Sequence, residues 1–201
     1  AIGMSEPDAG SDLANGRTTA APQPGGGWLF NGAKVWTSNA HEYDAMVVFC
    51  RTAPRGENRH QGFSQFMVER TQPGVTINPI KLITGQHHFN EVVFDNVVLE
   101  ADQLLGTEGD GWAQVTSELA LERSGPERFM STYPVLAQAI DALGADGDQR
   151  ARYAVAQLVA RIWTLYNMSL RAFGRLAAGH DADIEAVVVK ELGARLEKSV
   201  A

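Results

Sequence analysis

Two hydrophobic periods divide the chain. From residue 17 to about 100, short apolar runs are punctuated by Gly, Pro and Asn, a pattern that predicts antiparallel strands. The runs are Arg17 to Ala20, Trp28 to Phe30 leading into Asn31-Gly32, Ala45 to Arg51, Phe63 to Arg70, Val75 to Ile80 and Glu91 to Leu99. Pro24 to Gly27 and Pro73-Gly74 read as reversals, Asn31-Gly32 as a two-residue primed turn, and the polar run Pro54 to Gly62 as an exposed loop. Short strands at this spacing predict a barrel or a sandwich.

After Gly111 the period becomes helical. Trp112, Val115, Leu119 and Glu122 fall at three- and four-residue steps, and Leu158, Ile162, Leu165, Met168 and Leu176 continue a stripe later on. Asp148 is placed to cap a long helix that reaches Ala178 and stops at Gly179. Asp181 or Asp183 then caps a further helix through Val200, while Gly125-Pro126 and Pro134 break the first helical stretch. The expected class is α+β, with an antiparallel β-barrel domain over residues 1–107 followed by an incomplete α-helical bundle domain over residues 108–201.

Composition narrows the function classes. At 201 residues, with 44% hydrophobic and 20% charged positions, the chain has the make-up of a soluble globular protein with room for a real core. A net charge of -7 leaves no basic footprint for nucleic acid, so no nucleic-acid partner is expected. The lone Cys50, inside the apolar run Met46 to Cys50, reads as a buried small hydrophobe, and no disulfide framework exists. Without a leader or an apolar run long enough to span a bilayer, the expected location is cytoplasmic with no membrane contact. The chain starts without Met, enters a motif at once and stops inside a helical pattern, so it reads as a fragment.

Two polar runs carry the candidate chemistry. Ser5-Glu6-Pro7-Asp8-Ala9-Gly10-Ser11-Asp12 and Gly32-Ala33-Lys34-Val35-Trp36-Thr37-Ser38-Asn39 both place small hydroxyl residues on tight turns, and Trp36 adds a flat apolar face. Such a set suits a planar heterocycle with a polar edge. Taken alone, the first run is an ordinary surface turn, and a Trp in a strand is ordinary core. His87 and His88 have no further ligand at metal spacing, so no metal is expected. Gly106-x-x-Gly109-x-Gly111 lacks the spacing of a dinucleotide fingerprint and no βαβ pattern surrounds it, and there is no nucleophile elbow.

Four segments in order raise the functional reading. Met4 to Asp12, Lys34 to Asn39, Asn90 to Val97 with Leu105-Gly106 and Gly111-Trp112, and Leu119-Ala120-Leu121-Glu122-Arg123 together resemble the signatures of the acyl-CoA dehydrogenase family, with Ser5 and Ser38 where Thr is usual. The resemblance implies FAD as cofactor, contacted by Met4, Ser5, Gly10, Ser11, Trp36 and Ser38. It also implies an acyl-CoA substrate contacted by Ser11 and Arg123. Ser38 would partner the flavin's N5, and Trp36 would pack on the ring and keep water out.

The implied reaction is α,β-dehydrogenation of an acyl-CoA thioester to the trans-2-enoyl form. It needs a partly desolvated carboxylate to take the α-proton. Glu122 is the candidate, since some branches of the family place the catalytic Glu at the position it resembles, just before an Arg. Other branches carry the base far downstream, and the plainer reading of Glu122 is a helix carboxylate paired with a neighbour. Implied partners are an electron-transferring flavoprotein and further copies of the chain, as a homodimer or homotetramer. The Arg and Phe-Gly that commonly reach a neighbouring subunit's flavin are not recognisable around Asp141 to Arg152. Two alternatives stay open: a flavin monooxygenase or nitroalkane oxidase on the same fold, and a non-catalytic scaffold subunit.

Overall fold

In the computed structural model, residues 1–144 and 147–200 are described, and two compact units divide between Val115 and Thr116. The first unit holds strands β1 (Ile2–Gly3), β2 (Thr19–Pro22), β3 (Trp28–Ser38), β4 (Ala45–Arg51), β5 (Phe63–Glu69), β6 (Val75–Lys81), β7 (His87–Leu99) and β8 (Leu104–Leu105). Helices follow in the order α1 (Gly111–Ser124), α2 (Glu127–Met130), α3 (Tyr133–Leu143), α4 (Gln149–Ala177) and α5 (Asp183–Val200). The α+β class holds, and the helix breaks fall at Gly125-Pro126 and just before Pro134 as the sequence predicts.

The antiparallel barrel is corrected on two counts. The sheet is mixed, because β4 runs parallel to both β1 and β2. It is also open, with strand order β6-β7-β3-β2-β4-β5-β8 and β1 beside β4. Closure needs edge strands able to pair along their length. Here β8 is 2 residues long, and β6 carries Pro79, which has no N–H to donate. The link between β2 and β4 is a single residue pair, Thr19 with Arg51, so the sheet bends there and its two halves close over a shared core.

That core explains the alternation. Trp28 and Phe30 of β3 meet Phe66 of β5 edge-on, at centroid distances of 5.3 Å and 5.9 Å, and Phe94 of β7 meets Phe30 at 4.9 Å. Phe30 and Phe66 are fully buried, with Val48, Val68, Val92, Val97 and Leu99 around them. Such aromatic pairs add about 0.5–1.5 kcal/mol each beyond their buried area. Cys50 is buried in the same cluster and its thiol is pushed up by burial, as a small hydrophobe's would be.

Asn31-Gly32 is not a turn. Both residues lie inside β3, where the partner strand β7 carries one extra residue between the pairs Phe30–Val97 and Gly32–Phe94. Asn96 supplies it, at φ 51°, with its N–H donating to Asn31 Oδ1 at 2.8 Å. The bulge shifts β7 by one position, so Val92 and Phe94 face inward before it and Val97 and Leu99 after it. An Asn-Gly pair signals a hairpin only where the chain reverses, and here a bulge uses the same residues.

In the second unit, Phe129, Leu165, Val189 and Leu196 form a separate core. Asp148 caps α4 by accepting from Ala151 N at 3.1 Å. Its far end closes in a Schellman turn at Gly179 (φ 75°), where His180 N donates to Arg175 O and Gly179 N to Leu176 O. Asp181 Oδ1 accepts from Asp183 N at 2.8 Å at the start of α5. No helix among the described residues is long and apolar enough to cross a membrane.

Gly32 provides a test of the corrected strand. Its φ is 145° and an added Cβ would sit 2.7 Å from Thr18 Cα. Gly32→Ala is therefore expected to destabilise the first unit by about 1–3 kcal/mol, read as a lower urea midpoint; a residue at a free turn tip would show almost no change.

Candidate functional site

The two polar runs lie side by side. Val35 N donates to Ser5 O at 2.9 Å, and Lys34 Nζ donates to Met4 O at 3.0 Å and to Glu6 Oε1 at 2.8 Å. Lys34 is fully buried and Glu6 is 7% exposed. The Glu6 carboxylate also accepts from Arg17 N at 2.6 Å and Thr18 N at 3.0 Å. Burial by itself would raise the Glu6 carboxyl, but the Lys34 charge and these hydrogen bonds outweigh it and hold it below its ordinary value. Burial pulls the Lys34 ammonium down, against the upward pull of Glu6.

This pair was not among the sequence-derived candidates, although both residues lie in the quoted runs. The signal was available in parity: Trp28, Phe30 and Lys34 share the inward face of β3. A lysine on a core-facing position demands a buried acid.

Beyond Lys34 the strand changes phase. Lys34 pairs with Val92 and Thr37 with Asn90, so β3 takes three steps against two on β7. Trp36 is the extra residue, in the left-handed region at φ 60°. Without the bulge Trp36 would face the core; with it, Thr37 is buried while Trp36 is 57% exposed and Ser38 is exposed beside it. The indole edge rests on Phe89 at a centroid distance of 5.8 Å.

Asn90 holds this bulge from inside. Its Nδ2 donates to Thr37 O at 3.0 Å and contacts His41 Nδ1 at 3.2 Å, while its Oδ1 meets His87 Nε2 at 2.7 Å. The His41 and His87 rings stack at 3.7 Å. These roles escaped the sequence reading because nothing in the order of residues announces which Asn lies behind a bulge.

The remaining flavin candidates sit along the first run. Met4 and Ser5 are half-buried, and Gly10 and Ser11 are exposed. An exposed indole held in a strained conformation, with exposed hydroxyls at Ser38 and Ser11, fits a planar, polar-edged group such as a flavin. Asp12 is paired with Arg59, and among the described residues no cluster of metal-ligating side chains occurs.

Glu122 and Arg123 belong to the helical unit. Glu122 is ion-paired with Arg128, and its side chain is 54% exposed. Arg128 Nε also donates to the Glu122 backbone carbonyl at 3.2 Å. Arg123 lines a 200 Å³ cavity with Leu119, Ala120, Asp183 and Ala186. The glycines before α1 serve the first unit instead, with Gly109 N donating to Ser64 Oγ at 2.9 Å.

Residues 1–97 match the family model described as acyl-CoA dehydrogenase, middle domain. The chain is 36% identical over 202 residues to the acyl-CoA dehydrogenase FadE34 of Mycobacterium tuberculosis, covering 98% of this chain and 28% of that protein. It is 49% identical over 121 residues to the acyl-CoA dehydrogenase IpdE1 of the same organism, covering 60% of this chain and 31% of that protein. A solved structure of a probable acyl-CoA dehydrogenase from Mycobacterium abscessus superposes with a TM-score of 0.86 at 25% identity, covering 99% of this chain and 55% of that one. The chain thus spans about a third or less of the two relatives' length.

The buried pair sets an acid response. Because the Glu6 carboxyl is held below its ordinary 4.5, its stabilisation is complete above that value and is lost as pH falls through the depressed native one. Glu6→Gln is expected to cost roughly 3–5 kcal/mol at neutral pH and to flatten the fall in stability below pH 4.5. Urea titrations at stepped pH check both; an unchanged slope in the variant would show that Glu6 is not the responsible group.

Proposed function

The chain belongs to the acyl-CoA dehydrogenase family, and on that premise we propose that it forms part of an FAD-dependent enzyme that desaturates an acyl-CoA thioester between Cα and Cβ. The observation that carries this reading is the bulge at Trp36, which turns an indole and the Ser38 hydroxyl outward on a strand whose preceding residue is bonded to Ser5. Bound FAD would supply a hydride acceptor. Trp36 would cover its ring and exclude water, Ser5 and Ser38 would donate to its polar edge, and Met4, Gly10 and Ser11 would complete the contact. Ser11 and Arg123 would hold the substrate. Reducing equivalents would pass to an electron-transferring flavoprotein.

Glu122 would take the α-proton. That role requires Arg128 to release it, since a carboxylate gripped by a guanidinium and half exposed is poorly set to accept a proton. The ion pair favours a second reading for the base alone, in which a carboxylate elsewhere in the whole protein does this work and the Glu122–Arg128 pair braces the junction of α1 and α2. Exposed Tyr153, Trp163, Leu170 and Ile184 support packing of the helices against more protein, as a homodimer or homotetramer would provide.

A visible spectrum of the purified protein is the direct test. Flavin absorption that bleaches when a panel of acyl-CoAs is added without oxygen is the expected result, and no flavin in any preparation contradicts it. Trp36→Ala is expected to weaken FAD binding by about tenfold or more, and Glu122→Gln to abolish turnover while leaving the flavin bands intact. Full turnover in Glu122→Gln assigns the base to another carboxylate.

A further inference from the structure

The amide of Asn90, fully buried behind the Trp36 bulge, has its orientation fixed by its neighbours. The Thr37 carbonyl can only accept, so the atom 3.0 Å from it must be Nδ2. Nδ2 cannot accept in turn, so His41 Nδ1, 3.2 Å away, carries no proton and accepts from it. Oδ1 cannot donate, so His87 Nε2 donates to it at 2.7 Å. A single buried amide is thus matched to the protonation of two histidines whose rings stack at 3.7 Å.

A neutral His41 keeps its proton on Nε2, where Glu42 Oε1 stands 3.7 Å away. Nδ1 is then the one nitrogen that a further proton can enter, and it faces Asn90. There the proton sets N–H against N–H. The amide relieves this by turning over: Oδ1 accepts from the charged ring, in a stronger bond than the neutral one it replaces, and His87 accepts from Nδ2 once its own proton has moved to Nδ1. The Thr37 carbonyl alone loses, because an oxygen now faces it. Thr37 is ill placed to absorb that loss, since its hydroxyl is already buried with no partner among the described residues, and Trp36 before it is held at φ 60°.

The charged and titratable groups around the stack come from three elements. Glu42 faces His41 from the loop after β3, with Tyr43 and Asp44 exposed beyond it. Lys81 of β6 pairs across from His87 and brings a like charge to that ring. On β7, His88 lies edge-on to Phe89 at 4.6 Å, and Glu91 accepts from Asn78 Nδ2 at 3.0 Å.

We propose that His41 is a positioning residue which, through Asn90, holds Trp36 in its ligand-facing pose only while neutral, so that binding at the indole is linked to a proton. The identity of the ligand rests on the flavin reading above, whereas the latch itself needs no ligand. Taking up a proton at His41 turns the amide, removes the brace from Thr37 and lets the strained bulge relax.

Protein labelled with 5-fluorotryptophan tests the latch in the absence of flavin. The Trp36 fluorine signal, assigned by its loss in Trp36→Phe, should move as pH falls from about 8 to about 5. FAD affinity should drop by about tenfold over the same span. His41→Gln offers Asn90 an acceptor that takes up no proton, so the signal should stay at its alkaline position and the drop should shrink to less than about twofold. Asn90→Ala should leave the signal at its acid position at every pH; if that variant does not fold, His41→Gln decides alone. His88→Gln should behave as the parent, which separates His41 from the histidine beside the ring that the indole touches.

A Trp36 signal that does not move with pH overturns the proposal, as does one that moves unchanged in His41→Gln or stops moving only in His88→Gln. A protein that carries flavin and is bleached by acyl-CoA, yet binds FAD equally at both ends of the pH range, sinks the latch alone. A Trp36 signal that follows His41 in a protein that takes up no flavin supports the latch and sinks the flavin reading alone.

Discussion

A single buried ion pair sets the geometry of the first unit. Lys34 and Glu6 meet at 2.8 Å with almost no water contact, an arrangement that contributes little net stability because two charges must leave water to form it. Its effect is on uniqueness. Glu6 accepts from the backbone of Arg17 and Thr18, Lys34 donates to the carbonyl of Met4, and every alternative placement of this loop would strand a charge in the core. The loop from Met4 to Thr18 is thereby stapled to β3 at one register.

Register then decides which way an indole points. The ion pair fixes Lys34 inward, and two residues later the extra residue in β3 reverses the phase, so that Trp36 emerges on the surface next to the loop the pair has anchored. A left-handed tryptophan costs on the order of 1 kcal/mol. Asn90 maintains the distortion by bonding the Thr37 carbonyl, so the strain is held by the partner strand rather than released. The cost of exposing a large aromatic and bending its backbone makes sense if a ligand covers it, and it explains why this strand does not run straight.

Much of this was legible in the residues. Cys50 in the core, the caps at Asp148 and Gly179, the helix breaks at Gly125-Pro126 and Pro134, and the limits of β4 all follow from local rules that tertiary contacts had no reason to override. Closure of the sheet was not legible. Whether β6 and β8 meet depends on strand lengths and on the parallel pairing of β4 with β1 and β2, contacts between segments far apart in the chain that no local pattern encodes. The Asn31-Gly32 pair misled for a related reason, since a bulge and a primed turn ask for the same residues. Within the site, Trp36 and the hydroxyls could be picked out by type, and pairing of Glu122 with a neighbour was the plainer reading of that residue, whereas the grip of Lys34 on Glu6 and the brace at Asn90 come from pairing that only folding creates.

The same staple reaches from the indole to Arg17 and Arg51. Glu6 is bonded at one end to Lys34, two residues before Trp36, and at the other to the backbone of Arg17, whose side chain lines an open surface cavity with Arg51 and Arg55. A Cβ added at Gly16, between them, would stand 3.1 Å from Glu6 Oε1, so the carboxylate would have to give by a few tenths of an ångström. Arg51 closes the circuit by bonding Ala14 O, and its own N–H donates to Thr18 O at 2.8 Å. The hydrogen bonds that hold Glu6 are therefore also the ones that set the register of the strand presenting Trp36, so the loop and the indole share one anchor.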